Sequence, residues 1–238
     1  MKHLCRQAGR IFCGLLFFVS FLKAGNLYFF PSGISIPEQE SCWEIKAANM
    51  TSEIEEKSAD SIKWDFNGMG IYSQFSTFFY RRLGWNLSTL LISADGDGEN
   101  KTSKYLNEIN LLGTNFNFFF DIYKGLGIYC GYAIWESAAS IKAESRRSIK
   151  KKDWEDEIKE KGVCGGLTGR INLGFMDVKL GASASSLENA SISAFNLAFM
   201  PRFKNFKLNI GAEIQNISDD TNGKNNFTLF NLGILKEW

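Results

Sequence analysis

Between Val163 and Ser185 apolar and polar residues alternate with a period of two, break once, and resume. Val163, Leu167, Ile171, Leu173 and Phe175 share one parity against Cys164, Thr168, Arg170 and Asn172. After Met176 and Asp177 the pattern returns, with Val178, Leu180, Ala182 and Ala184 against Lys179, Gly181, Ser183 and Ser185. Successive side chains of a strand project to opposite faces, so this stretch predicts an antiparallel hairpin that turns at Met176 and Asp177. One of its faces is apolar, the other small and polar.

The same signal recurs along the chain. A first strand is expected from Cys42 to Met50, with Trp43, Ile45 and Ala47 opposite Glu44 and Lys46. A second begins at Ile62 with Trp64 and Phe66 in phase, then changes phase after Gly68 and Gly70 to Ile71, Phe75 and Phe79, which suggests a β-bulge. Trp85 to Leu91, Ser103 to Asp121 and Ile128 to Ile134 follow, then the hairpin above, then Phe195 to Phe199 and Phe206 to Ile214. A last strand carries Phe230, Leu232, Ile234 and Trp238 in one parity. Short turns (Tyr80 to Gly84, Met176 with Asp177, Lys204 with Asn205) alternate with longer polar links (Asp95 to Lys101, Glu144 to Lys161, Ser218 to Lys224). The chain therefore reads as all-β: one closed, antiparallel, up-and-down barrel of about ten strands, or eight if the first hairpin is misread, with its short turns at one end.

Two barrels fit such alternation, a soluble lipocalin-like barrel holding an apolar ligand inside its apolar face, and a membrane barrel with that face outward. A water-facing wall is normally dense in Lys and Glu, yet here the polar face is mostly Gly, Asn, Ser and Thr with isolated charges, which fits a confined lumen. Arg170, Lys179, Lys207 and Glu213 are the expected lumen charges and should pair across a narrow interior.

The ends and the charge refine this picture. Lys2, Arg6 and Arg10 precede an apolar run from Ile11 to Leu22, shorter than the roughly 20 residues a membrane helix needs, so residues 1–24 read as a signal peptide. Residues 25–41, with two of the three prolines, read as an extended N-terminal segment, and 42–238 as the transmembrane barrel. Removal of residues 1–24 takes four of the 27 basic residues and leaves 23 against 26 acidic, a net charge of −3 that gives no case for nucleic-acid binding. Cys42, Cys130 and Cys164 then remain, an odd set without CxxC spacing, so free thiols are expected rather than a disulfide or metal scaffold.

A signal peptide, an even set of alternating strands, short turns at one end, charged links at the other and a terminal aromatic strand resemble the small outer-membrane β-barrels of diderm bacteria, in the OmpW/OmpX-like class. The resemblance implies location in the bacterial outer membrane, contact with outer-membrane lipid, and a function as a narrow pore or a surface interaction protein. It also implies that Phe230, Leu232, Ile234 and Trp238 form the C-terminal signal read by the barrel-assembly machinery, although Lys236 stands where an apolar residue is usual. Barrel enzymes of this kind rely on histidine couples. The one histidine, His3, lies in the signal peptide, so no catalytic role and no cofactor are expected. Asp95, Asp97 and Glu99 lack EF-hand spacing and read as a solvated hairpin tip rather than a calcium site. Glu144 to Lys161, read as the longest outer loop, is the candidate for meeting an extracellular ligand or host partner. Arg146, Arg147, Lys150, Lys151 and Lys152 would form its anion-attracting patch and Trp154 its anchor.

Overall fold

The computed structural model describes residues 34–55, 63–99, 103–145, 151–219 and 223–238. Ten strands run up and down: β1 Ser41–Glu55, β2 Lys63–Tyr80, β3 Leu83–Glu99, β4 Ser103–Tyr123, β5 Leu126–Ser145, β6 Lys151–Asn172, β7 Met176–Leu187, β8 Ala190–Pro201, β9 Lys207–Asp219 and β10 Gly223–Glu237. Each is antiparallel to the next, and β1 pairs with β10 to close a barrel. The seam is finished at the short-turn end, where Ser41 and Trp238 exchange backbone hydrogen bonds of 3.0 and 3.1 Å. The proposed signal peptide and residues 25–33 of the N-terminal segment lie outside the described residues.

Phe116, Phe195 and Phe206 decide between the two barrel types, because all three point outward and are 41, 52 and 38% exposed. With them an apolar belt encircles the barrel, including Ile45, Ile71, Leu167, Ile210 and Leu232. A soluble barrel would have to hold that belt in water, so the lipocalin-like reading is set aside. On β4 the belt runs from Ile122 to Leu112, ten residue steps. At ~3.4 Å per step and a tilt of about 40° this is a height of about 26 Å, close to the apolar band of a membrane barrel.

Above the belt the polarity inverts. Outward positions become Asn67 and Asp65 on β2, Ser93, Asp95 and Asp97 on β3, Asn110 and Glu108 on β4, and Lys161, Lys159 and Glu157 on β6. Inward positions at the same height become Trp64, Phe66, Ile92, Ile109, Leu111, Trp135, Ile217 and Phe227, all 4% exposed or less and packed as one cluster. The lower barrel excludes lipid from a polar interior. The upper barrel excludes water from an apolar one, so it stands above the hydrocarbon as a small water-facing domain with its own core.

This inversion corrects several boundaries expected from the sequence. The pairing of β2 with β1 and β3 is continuous through Gly68 and Gly70, so no bulge lies there, and the register shifts only between Phe78 and Tyr80. What looked like a change of phase is a change of surroundings, since Trp64 and Phe66 point into the barrel while Ile71 and Phe75 point out of it. Asp95 to Glu99 is no loop. It belongs to β3 and pairs with both neighbours. Its two inward glycines are needed because a Cβ on Gly96 would come within 2.1 Å of the Phe66 ring and one on Gly98 within 2.5 Å of the Trp64 ring. The turn placed at Met176 and Asp177 comes earlier, over Leu173 to Phe175. There Gly174 adopts a φ of 87° and its N–H donates to Asn172 Oδ1 at 2.7 Å.

Candidate functional site

The interior is filled in three tiers. At the short-turn mouth, three cations meet three carboxylates. Arg170 lies 3.4 Å from Glu38 and 3.3 Å from Glu237, while Lys207 lies 3.1 Å from Glu38 and 2.8 Å from both Asp177 and Glu237. Arg202, in the connection after β8, reaches Asp177 at 2.6 Å and also pairs with Glu38. Burial alone would lower the Arg202 pKa, but its hydrogen bond to Asp177 and the charge of Glu38 outweigh that and raise it, so it stays charged.

The entry segment closes this mouth from within. Ile34, Ser35 and Ile36 are buried, and their backbone carbonyls are met from the barrel wall. Thr168 Oγ1 donates to Ile34 at 3.1 Å, Arg170 Nη1 to Ile36 at 3.1 Å, and Gln74 Nε2 to Ser35 at 3.5 Å. The Ser35 hydroxyl receives Lys179 Nζ at 2.7 Å and donates to Glu44 at 3.1 Å. Two recesses of about 1150 and 570 Å³ remain on either side of Glu38 and Gln39, open to the short-turn end.

The middle tier is a buried polar web. Glu44 is 0% exposed, 3.6 Å from Lys46, and accepts a hydrogen bond from Asn209. Gln215 donates to Glu213 at 2.5 Å, Asn117 to Asn86 at 3.2 Å, and Tyr72 to Gln74 at 2.5 Å. Each charge here sits where lipid cannot reach it and where a neighbour offers an opposite charge or hydrogen bond, which is the condition for keeping charged groups at membrane depth. The third tier is the apolar cluster of the upper barrel. Side chains lining an aqueous passage would be accessible to water, but Glu44, Asn209, Gln215 and Trp135 are all 0% exposed.

The four lumen residues expected from sequence, Arg170, Lys179, Lys207 and Glu213, all point inward. Their partners were missed: Glu38, Glu44, Asp177 and Glu237. Glu44 carried a usable signal, an acidic residue alternating with Trp43 and Ile45. Asp177 stands where the sequence pattern breaks and reads as a turn, and Glu38 sits in a segment without periodicity.

No protein-family model matches the chain, and no curated protein matches it in sequence. Among solved structures it is similar to the outer membrane protease OmpT of Escherichia coli, with a TM-score of 0.53 and 10% identity over 86% of this chain and 98% of that one. It is equally similar to the transport unit of the autotransporter AIDA-I of Escherichia coli, with a TM-score of 0.53 and 8% identity over 90% of this chain and 95% of that one. This is the fold of the bacterial outer-membrane β-barrels. At such identities the likeness concerns architecture alone and carries over neither proteolysis nor transport; nor does it single out the OmpW/OmpX-like class.

For an outer-membrane barrel the short turns mark the periplasmic end and the tall hairpins the outside. Outward of the periplasmic ring, Arg81 lies over the Tyr80 ring and Lys124 over the Tyr123 ring, at 5.4 and 5.7 Å, as expected for aromatic and cationic groups at a lipid headgroup boundary. Phe230, Leu232 and Ile234 face the lipid side, 59, 56 and 47% exposed, and the Trp238 ring lies 6.4 Å from Phe75.

The stretch from Glu144 to Lys161 is mostly strand rather than loop. β5 and β6 continue as a paired ladder to Glu144↔Lys151, with Lys152↔Ala143, Lys142↔Asp153 and Ile141↔Trp154 in register. Lower on the same ladder the Lys159 ammonium pairs with Glu136, an opposite-charge pair of the kind that favours the extended form. Lys151, Lys152 and Trp154 thus belong to β6. Arg146, Arg147 and Lys150 lie outside the described residues.

Proposed function

We propose that this outer-membrane barrel is closed to solutes and serves as a surface interaction protein, presenting its tall outer hairpins on a rigid scaffold. The observation that carries the reading is the filled interior: a salt-bridged periplasmic mouth occupied by residues 34–36, a buried polar web, and an apolar core above it. A barrel of this strand number has little lumen to begin with. The part built for contact is the upper barrel, where β5 and β6 run to 20 and 22 residues while β7 and β8 have 12 each. Binding sites tend to reside on such protrusions. A catalytic role forms no part of this reading, since the sequence holds no histidine beyond His3.

Two measurements test it. The purified barrel in planar bilayers should give no stable single-channel conductance; large, stable openings would refute the closed lumen. An epitope inserted between Arg147 and Ser148 should be labelled by antibody on intact cells. Labelling only after the outer membrane is broken would reverse the orientation and remove the surface role.

A further inference from the structure

β7 ends at Leu187, in register with Gly162 of β6. β6 itself continues to Lys151, paired over that length with β5 alone. Among the described residues no strand covers the other side of Lys151 to Lys161; at the foot of the edge Asn189 donates to Glu160 at 3.1 Å and Glu188 lies 3.8 Å from Lys161. Eleven residues of strand, ~36 Å at 3.3 Å per residue, therefore present alternate N–H and C=O groups to water. At the foot of this edge the wall drops, leaving an open groove of about 800 Å³ that Val163, Ser186, Ser191 and Asn226 help to line.

The register of the ladder gives this edge a charge preference. In the register Lys151 is opposite Glu144, Asp153 opposite Lys142 and Lys159 opposite Glu136, and Lys159 and Glu136 are in direct contact. Glu155, Asp156 and Glu157 are opposite Ser140, Ala139 and Ala138, so the ladder sets no cation directly across from three consecutive acidic residues. We infer that the free edge of β6 binds an extended, basic segment of a partner protein, which adds a strand antiparallel to Lys151–Lys161 with its positive residues on the strand face shared by Glu155 and Glu157. Backbone hydrogen bonds supply the attraction and the acidic run supplies the selection. The inference rests on the surface-interaction reading above, and names its partner by chemistry.

Hydrogen–deuterium exchange on the full chain in detergent micelles tests it, using two synthetic probes, an extended peptide of alternating Thr and Lys and its Thr and Glu counterpart. In the free barrel a subset of amides in 151–161 should exchange far faster than those of Ile128 to Ile134 in the belt. The Thr–Lys peptide should slow that subset by about tenfold or more, and the Thr–Glu peptide should leave it unchanged. The triple substitution E155K, D156K, E157K should reverse the preference. Full protection in the free barrel would mean that the edge is already covered and would overturn the inference, as would equal protection by both peptides or by neither. Conductance reports on the closed lumen independently, so failure here is distinguishable from failure of the wider reading.

Discussion

The inversion of polarity above the belt makes a quantitative claim that one strand can test. Phe118, Leu112 and Leu106 all lie on the outward face of β4, and the first sits mid-belt while the last is six residues beyond the upper ring. At ~3.4 Å per residue and a tilt of about 40°, Leu106 stands roughly 15 Å above that ring, in water. Arginine at the bilayer midplane of a barrel costs about 2–4 kcal/mol, falling to about 0–1 near the interface. Phe118→Arg also loses the edge-to-face contact with Phe116, centroids 5.1 Å apart, which adds about 0.5–1.5 kcal/mol; Phe118→Ala isolates that part. The expected series is therefore about 3–5 kcal/mol for Phe118→Arg, about 1 for Leu112→Arg and close to zero for Leu106→Arg. Denaturant titration in phospholipid vesicles, followed by tryptophan fluorescence, gives the values. Equal costs at Leu106 and Phe118 would mean that the apolar band extends to the rim and that the upper barrel is no water-facing domain.

Other outcomes follow from the interior. Lys207→Ala removes a cation shared by Glu38, Asp177 and Glu237 and leaves Asp177 to Arg202 and Glu237 to Arg170, so it should cost about 2 kcal/mol in the same titration, the worth of a hydrogen bond to a charged group; a loss below about 0.5 would show that water solvates the mouth freely. Gly96→Ala forces the Phe66 ring aside and should destabilise by about 1–3 kcal/mol, whereas Ser93→Ala, outward on the same strand, should be silent. Deleting residues 34–40 should expose Lys179 to amine-reactive reagents yet leave bilayer conductance absent, because the apolar tier remains; conductance after this deletion would locate the only seal at the mouth. Truncation of Trp238 should slow barrel assembly in cells, read as a rise in the unfolded band on unheated gels, if the machinery reads this terminus.

Much of this architecture is legible in the sequence, and the rest is hidden for an identifiable reason. Within the belt each strand has one environment per face, so Phe116 and Phe118 against Asn115 and Asn117 reveal strand, face and lumen together. Above the belt the strand keeps its parity while its surroundings exchange roles. Trp64 and Phe66 then look like a slip of phase, Asp95 and Asp97 with their intervening glycines look like a turn, and the charge-rich 151–161 looks like a loop. The pairing that shows these to be strands is long-range, set by neighbours such as Asp97↔Asp65 and Trp154↔Ile141, and no local window contains it. The lumen cations and Glu44 could be placed from alternation, but Asp177 stands beside a turn, Glu237 at a terminus and Glu38 in the entry segment, where the local pattern points nowhere.

The height of the β5–β6 hairpin also bears on how the protein reaches its place. From Glu136 to Lys161, fifteen of 26 residues are charged, and all of them must end on the far side of the hydrocarbon. At the ~2.5 kcal/mol or more that translocating one such group through the membrane centre demands, an unassisted crossing of this hairpin meets a barrier of tens of kcal/mol. Delivery must therefore proceed through a hydrated or protein-lined passage, with this hairpin threaded before β1 and β10 zip together. Biogenesis rather than native stability would then set how long the hairpin can grow, and shortening it should speed insertion into pure lipid vesicles while leaving the finished lower barrel unchanged.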